Sequence, residues 1–338
     1  MPSRLPSFRI VVPLAAALVA FAIAPVAHAI SAPGYTVTEI ALPDYAAGDV
    51  VVAGGALFVG VGPGFTGAGQ SIVRIDGGGT TVVADGFNAL SGFAYDAVND
   101  RMLVVDNGAE ALGAETGDTL YAIASPNGSF GTPLRAKDIA VAPAGSIPGA
   151  ADIVLDPNDP TGNRAFVSDA SASFPPAGRV LAVDLSTGAL SVLQAGLGYA
   201  AGLAASADAL YIGDVNGFTF AGEVSSTALP GGTGSRTPIA GGLGGQYDLE
   251  LESGGTLLAT AASDLLRIDP TSGVATAIAS GFGFATGLFE QDGTIWVLDG
   301  GFPGVAKVYR LDLVPEPGTL VLTGIGVVLL ARRRSAAR

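Results

Sequence analysis

Residues 287–300 read GLFEQDGTIWVLDG, and this stretch decides the fold. A short apolar run ends in the dipeptide Asp292-Gly293, a second apolar run follows over 294–298, and Asp299 closes it. Two extended runs flanking Asp-Gly spell a β-hairpin, because both central positions of a tight hairpin turn need positive φ. Working outward, the second run has equivalents at 56–60, 101–105, 164–168, 209–213 and 256–260. The residues that follow these runs are Val61, Asp106, Asp169, Asp214, Ala261 and Asp299, spaced by 45, 63, 45, 47 and 38 residues. That spacing is a propeller-type period with one long insertion near the second copy.

Each copy has a partner run before it, at 49–53, 92–96, 152–156, 202–206, 248–252 and 287–291. Another follows at 71–76, 119–124, 179–184, 222–228, 264–269 and 307–312, and most copies add a fourth, as at 80–84, 190–194 and 275–280. Gly, Asp and Asn punctuate these runs, and no long amphipathic helical pattern interrupts them. Four strands in six copies predict an all-β, six-bladed β-propeller. The last copy stops at Asp312 without a fourth strand, while residues 35–42 precede the first copy unpaired. Placing 35–42 as the outer strand of the last blade closes the ring and removes an exposed edge. Trp296 lies at an apolar strand position and is expected in the core.

The two ends carry targeting patterns. Arg4 and Arg9 precede the apolar run 10–23, and Ala27-His28-Ala29 supplies an A-x-A cleavage site, as in a signal peptide spanning 1–29. An uncleaved membrane anchor is the alternative. Removal of 1–29 takes away His28, the only histidine, and with it Ser-His-Asp catalysis and imidazole metal ligation. There is no cysteine, hence no disulfide and no thiolate chemistry. Residues 30–314 hold 29 acidic and 10 basic residues, a net charge of −19, which disfavours nucleic acid and attracts cations.

At the other end, Pro315-Glu316-Pro317 precedes an apolar segment, 319–331, and the cluster Arg332-Arg333-Arg334. The apolar segment is shorter than the ~20 residues that span a bilayer comfortably, and the arginines would hold its end on the cytoplasmic side. This arrangement over 314–338 resembles the PEP-CTERM sorting tail of exported bacterial proteins. The resemblance implies transient inner-membrane anchoring by the C-terminal segment. Cleavage near Glu316 by an exosortase-type membrane peptidase would follow, with release to the surface or extracellular matrix of a Gram-negative-type bacterium. Signal peptidase would be the partner at Ala27 and Ala29, and a plain tail anchor shares the topology without the release. The body, 30–313, resembles the NHL and gluconolactonase-like (senescence-marker) propellers in its strand–turn–strand–Asp rhythm.

In a propeller, the loop after the second strand and the crossing to the next blade share one face. Asp106, Asp169, Asp214 and Asp299 belong to that face and form a candidate Ca²⁺ or sugar-hydroxyl site, since hard cations take clustered oxygen ligands. The same aspartates read equally as caps that accept backbone N–H bonds from their own loops. Phe65, Phe174, Phe218 and Phe302 each lie four residues before the third strand, either stacking a ligand beside those carboxylates or plugging the loop. The segment 156–163 (DPNDPTGN) fails the order of a calcium loop and reads as a hairpin turn. Two functions follow. The first is an exported binding or scaffolding module, associated with exopolysaccharide in the setting the sorting tail implies. The alternative is a metal-dependent hydrolase of the gluconolactonase type, in which the resemblance implies acidic and Asn ligands on a central metal, with Asn107 or Asn216 as the amide.

Overall fold

The computed structural model describes residues 29–63, 69–108, 117–170, 177–215, 221–231, 235–245, 248–300 and 306–314. Six antiparallel sheets follow one another as the blades of a propeller. The hairpin that opened the sequence reading joins Ala285–Gln291 to Thr294–Asp299, with Gln291 opposite Thr294. Its Asp292 and Gly293 have φ of 53° and 80°, the two left-handed positions of a type I′ turn. Gly54 and Gly55 play the same part in blade one, with φ of 56° and 81°.

Blade one holds Tyr45–Ala53, Ala56–Gly62, Gln70–Asp76 and Gly79–Phe87. Blade three runs Ala150–Leu155, Arg164–Asp169, Gly178–Asp184 and Ala189–Leu197, and blade four Ala200–Ala205, Ala209–Val215, Gly222–Ala228 and Thr237–Leu243. Blade five is Leu249–Leu251, Leu257–Ala261, Asp264–Ile268 and Ala275–Ser280. Blade six adds Lys307–Leu313 to its hairpin and takes Tyr35–Ala41 as its outer strand. The pairing runs antiparallel from Tyr35 opposite Leu313 to Ala41 opposite Lys307, so the spare N-terminal strand does close the ring. Just before it, Ser31 exchanges both backbone hydrogen bonds with Ser280, extending the clasp onto blade five.

Blade two departs from the four-strand pattern. It contains Leu90–Asp96, Arg101–Asp106 and Thr119–Ala124, and the insertion that stretched the repeat spacing takes the place of its fourth strand. Leu134–Arg135 pairs in parallel with Ala84 and Asp85 of blade one, and Arg135 forms an ion pair with Asp85 at 2.7 Å. A 3₁₀ turn, Ala136–Asp138, then brings Ala140 opposite Tyr121. The insertion thus covers the edge that a missing strand would expose.

Apolar packing lies between neighbouring blades rather than in one central core. Phe58, Phe87, Met102 and Tyr121 fill the joint of blades one and two, with the Phe87 and Tyr121 rings edge to face at 5.3 Å. Leu288, Ile295, Val297 and Leu311 fill the joint of blades five and six. Trp296 is half-buried, 5.8 Å from the Phe289 ring, with the Arg310 guanidinium 5.8 Å over its own face. Among the described residues no helix is long and apolar enough to cross a membrane. Ala27, the Pro315–Pro317 motif, the apolar segment after it and Arg332–Arg334 lie outside the described residues.

Candidate active site

The innermost strands carry the axial chemistry. At the start of the six inner runs stand Asp49, Gly92, Asp152, Gly202, Asp248 and Gly287, an alternation of acid and glycine around the axis. The three carboxylates converge, each offering an oxygen within 4.8 Å of the others, and all three residues are buried. The glycines are what let them meet. A Cβ at Gly92 would overlap the Asp152 carboxylate, one at Gly287 would overlap that of Asp49, and one at Gly202 would press on the Asp248 backbone. Replacing Gly92 by Ala is therefore expected to cost about 2–4 kcal/mol in chemical denaturation, because the obstacle includes backbone as well as side chain.

Each acid also reaches to the next blade. Asp49 accepts hydrogen bonds from Phe93 N at 3.0 Å and Val50 N at 2.6 Å. Asp152 accepts from Leu203 N at 2.6 Å and Ile153 N at 2.7 Å. Asp248 accepts from Leu288 N at 2.6 Å on one oxygen only, and Leu288 N is shared with Asp49 at 3.1 Å. The donors from the next blade, Phe93, Leu203 and Leu288, are each the residue that follows a glycine of the ring.

Two cavities meet at these carboxylates. On the face of the blade crossings, a chamber of about 160 Å³ is lined by the three aspartates with Ser91, Asn107, Tyr199 and Thr286. On the opposite side, a chamber of about 180 Å³ is walled by Val51, Phe93, Val154, Leu203 and Phe289, with Glu250 as its further acid. Among the described residues no Lys or Arg lines either one. Burial pushes the Asp49 carboxyl up to about 7. Asp152 and Asp248 are raised well above the carboxylate range, first by burial and then by the charge on Asp49.

Three buried acids without a basic partner are unfavourable unless a proton or a cation sits among them. An all-oxygen, anionic donor set suits a hard divalent cation such as Ca²⁺, Mn²⁺ or Mg²⁺, and Asp248 Oδ1 receives no backbone N–H, so the residues present fit such an ion. The pH consequence follows from the sign of the Asp49 shift. A carboxyl raised on folding stabilises the protein below its unfolded value, and that contribution is lost as pH rises through about 7. Chelator-treated protein is expected to lose melting temperature between about pH 5 and about pH 8, and added Ca²⁺ to raise it most at the upper end, because ligation requires the deprotonated acids.

The aspartates singled out from the strand ends stand elsewhere. Asp106, Asp169, Asp214 and Asp299 face Leu90, Ala150, Ala200 and Ala285, where each inner strand begins. Asp106 accepts from the backbones of Asn88, Ala89 and Gly108 at 2.8 Å, and burial raises its carboxyl. Asp214 holds Gly198 N and Tyr199 N at 3.1 and 2.8 Å, and Asp299 holds Gly283 N and Phe284 N at 2.9 and 2.8 Å. Asp169 pairs with Arg179 at 2.7 Å. Asp106, Asp214 and Asp299 fasten their own blade crossings, and among the described residues the acids that assemble are Asp49, Asp152 and Asp248. Asp299→Ala orphans two N–H groups and is expected to lower stability by about 3 kcal/mol in chemical denaturation. Phe65, Phe174, Phe218, Phe302 and Asn216 lie outside the described residues. Asn107 lines the chamber above the three acids, and its amide bonds to no described residue.

No family model and no curated protein sequence matches the chain. Solved structures do. A gluconolactonase from Xanthomonas campestris superposes with a TM-score of 0.57 at 13% identity, over 85% of this chain and 96% of its own. A luciferin-regenerating enzyme gives 0.59 at 12%, over 82% and 95%, and a putative glucose dehydrogenase from Thermus thermophilus 0.56 at 16%, over 82% and 100%. At such identities the likeness is one of fold, that of the gluconolactonase-like six-bladed propellers. The expectation of a binding or scaffolding module is corrected by it. The three solved propellers named above carry enzyme names, which favours the hydrolase alternative, and the axis here carries three buried acids.

The signal lay in the first letters of the six inner runs, Asp, Gly, Asp, Gly, Asp, Gly. The acids at the ends of the second strands masked it, because they recur in adjacent blades. The axial acids recur only in every second blade.

Proposed function

We propose that the protein is a metal-dependent hydrolase of small cyclic esters, of the gluconolactonase type. The observation that carries this reading is the trio Asp49, Asp152 and Asp248 at the floor of a small, polar, otherwise uncharged chamber. When bound, a divalent cation would polarise the ester carbonyl and acidify a water. The aspartates would hold it, with Asp152 and Asp49 fixed in place by backbone N–H groups of two blades. Asp248, which takes a single backbone N–H where Asp152 takes two, would be the member of the trio that accepts the proton of the attacking water. The Asn107 amide and the Ser91 and Thr286 hydroxyls offer hydrogen bonds to ring substituents, and Tyr199 supplies an apolar wall. The chamber volume of about 160 Å³ suits a five- or six-membered ring and excludes a polymer.

The test is lactone hydrolysis by chelated protein, followed in a pH-indicator assay before and after addition of Ca²⁺, Mn²⁺ or Mg²⁺. Turnover that appears only with metal supports the reading, and none with any of the three overturns it.

We further propose export, on the strength of the two terminal sequence patterns. Signal peptidase would act after Ala29 and an exosortase-type peptidase near Glu316. Intact-mass measurement of the secreted protein is expected to show a chain beginning at Ile30 and lacking the arginine cluster; a product that retains Arg332–Arg334 contradicts the second cleavage.

A further inference from the structure

The chamber on the far side of the carboxylates is not needed to hold a substrate, yet it reaches the same three acids. Its walls follow from the pleat of the inner strands. Two residues beyond each member of the Asp/Gly alternation stand Val51, Ala94, Val154, Ala204, Glu250 and Phe289, which point to the same side as that member. Five are apolar and one is charged. Glu250 follows Asp248 by two positions, is half-buried, and lines the far chamber beside the three aspartates. The other polar groups on this side are already engaged: Glu290 accepts Gly293 N at 2.7 Å, and the Tyr95 hydroxyl donates to Asp100 at 2.9 Å. Glu250 meets only the N–H of Leu251 and pairs with no described side chain.

The waist between the chambers is three carboxylates within 4.8 Å of one another, wide enough to grip a desolvated ion and too narrow for an organic substrate. A ligand in the upper chamber would cover the ion from that side. The lower chamber then remains as the way in and out.

We propose that Glu250 and the far chamber form the loading route of the central cation, so that metal and substrate reach the same three aspartates from opposite faces. This rests on the metal-dependent reading above. A lone acid in an apolar vestibule gives an arriving ion an interim oxygen partner while it sheds its water. It therefore lowers the barrier in both directions without fixing the final affinity.

The experiment is Ca²⁺ release from the full propeller into a fluorescent chelator by stopped flow, with equilibrium affinity from calorimetry. Two variants alter the route, Glu250→Gln removing the charge and Val154→Phe filling the chamber; Ser91→Phe fills the opposite chamber. The expectation is release about tenfold slower in Glu250→Gln and Val154→Phe, with Kd within about threefold of the parent, and an unchanged rate in Ser91→Phe. Slowing confined to Ser91→Phe overturns the proposal in favour of the substrate side. A tenfold loss of affinity in Glu250→Gln with faster release overturns it too, since Glu250 would then be a ligand. If the parent protein binds no Ca²⁺, Mn²⁺ or Mg²⁺, the metal-dependent reading itself falls. Circular dichroism of each variant separates these outcomes from misfolding.

Discussion

Asp248→Asn is expected to lower kcat/KM for lactone hydrolysis by about 10³-fold or more and to abolish the Ca²⁺-induced rise in melting temperature, while the fold persists. This member of the trio is the informative one to change. Its Oδ2 accepts Leu288 N, and its Oδ1 receives no N–H, so an amide can keep the first contact with its carbonyl and turn its NH₂ toward Asp49. At Asp152 both oxygens accept backbone N–H groups, and an amide there would set donor against donor. Removing one of three buried negative charges also relieves repulsion in the metal-free state. The chelated variant is thus expected to melt no lower than the chelated parent at about pH 8, above the Asp49 value of about 7. Activity lost together with the folded signal would show only that the residue is structural. Activity retained by a well-folded variant would remove Asp248 from the chemistry.

The second large effect concerns the clasp. Deleting residues 30–42 is expected to abolish the cooperative melt at about 37 °C and above. The strand Tyr35–Ala41 supplies every backbone partner on the outer edge of Lys307–Leu313. Ile30, Tyr35 and Val37 pack on the Leu288, Val297 and Leu311 cluster, and Leu42 and Ile40 pack between blades six and one. The Tyr35 hydroxyl also receives Arg267 at 3.0 Å. Domains of this kind are stable by only about 5–15 kcal/mol, and losing a paired strand with five apolar anchors removes a comparable amount. A synthetic 30–42 peptide added in trans is expected to restore the far-ultraviolet spectrum. A truncated chain that melts as the full one does would show that the clasp is ornamental.

Much of this architecture could be read before any coordinates. The Asp292-Gly293 turn, the six copies and the orphan strand at 35–42 were all legible because strand pairing is written locally, in alternation and turn residues. The missing fourth strand of blade two was visible only as a long spacing. That Leu134–Arg135 would pair in parallel with blade one depends on a contact fifty residues away in sequence, which no local pattern encodes. The candidate site was harder for a different reason. Asp299 and Asp49 are the same residue type in strands of the same repeat, Asp299 ending a second strand and Asp49 within an inner one. What separates them is whether the carboxylate turns to its own loop or to the axis, and that is set by the glycine in the neighbouring blade. The relevant signal was therefore a pair, an acid in one blade and the absence of a side chain in the next.

That pairing imposes parity. A ring in which acid and glycine alternate can close only on an even number of blades. Adding or deleting a single blade would bring two aspartates side by side with no hollow between them, or two glycines with nothing to fill the gap. The smallest segment that could be gained, lost or transplanted while the axis stays intact is a tandem of two blades, each tandem bringing one carboxylate and the N–H that donates to it.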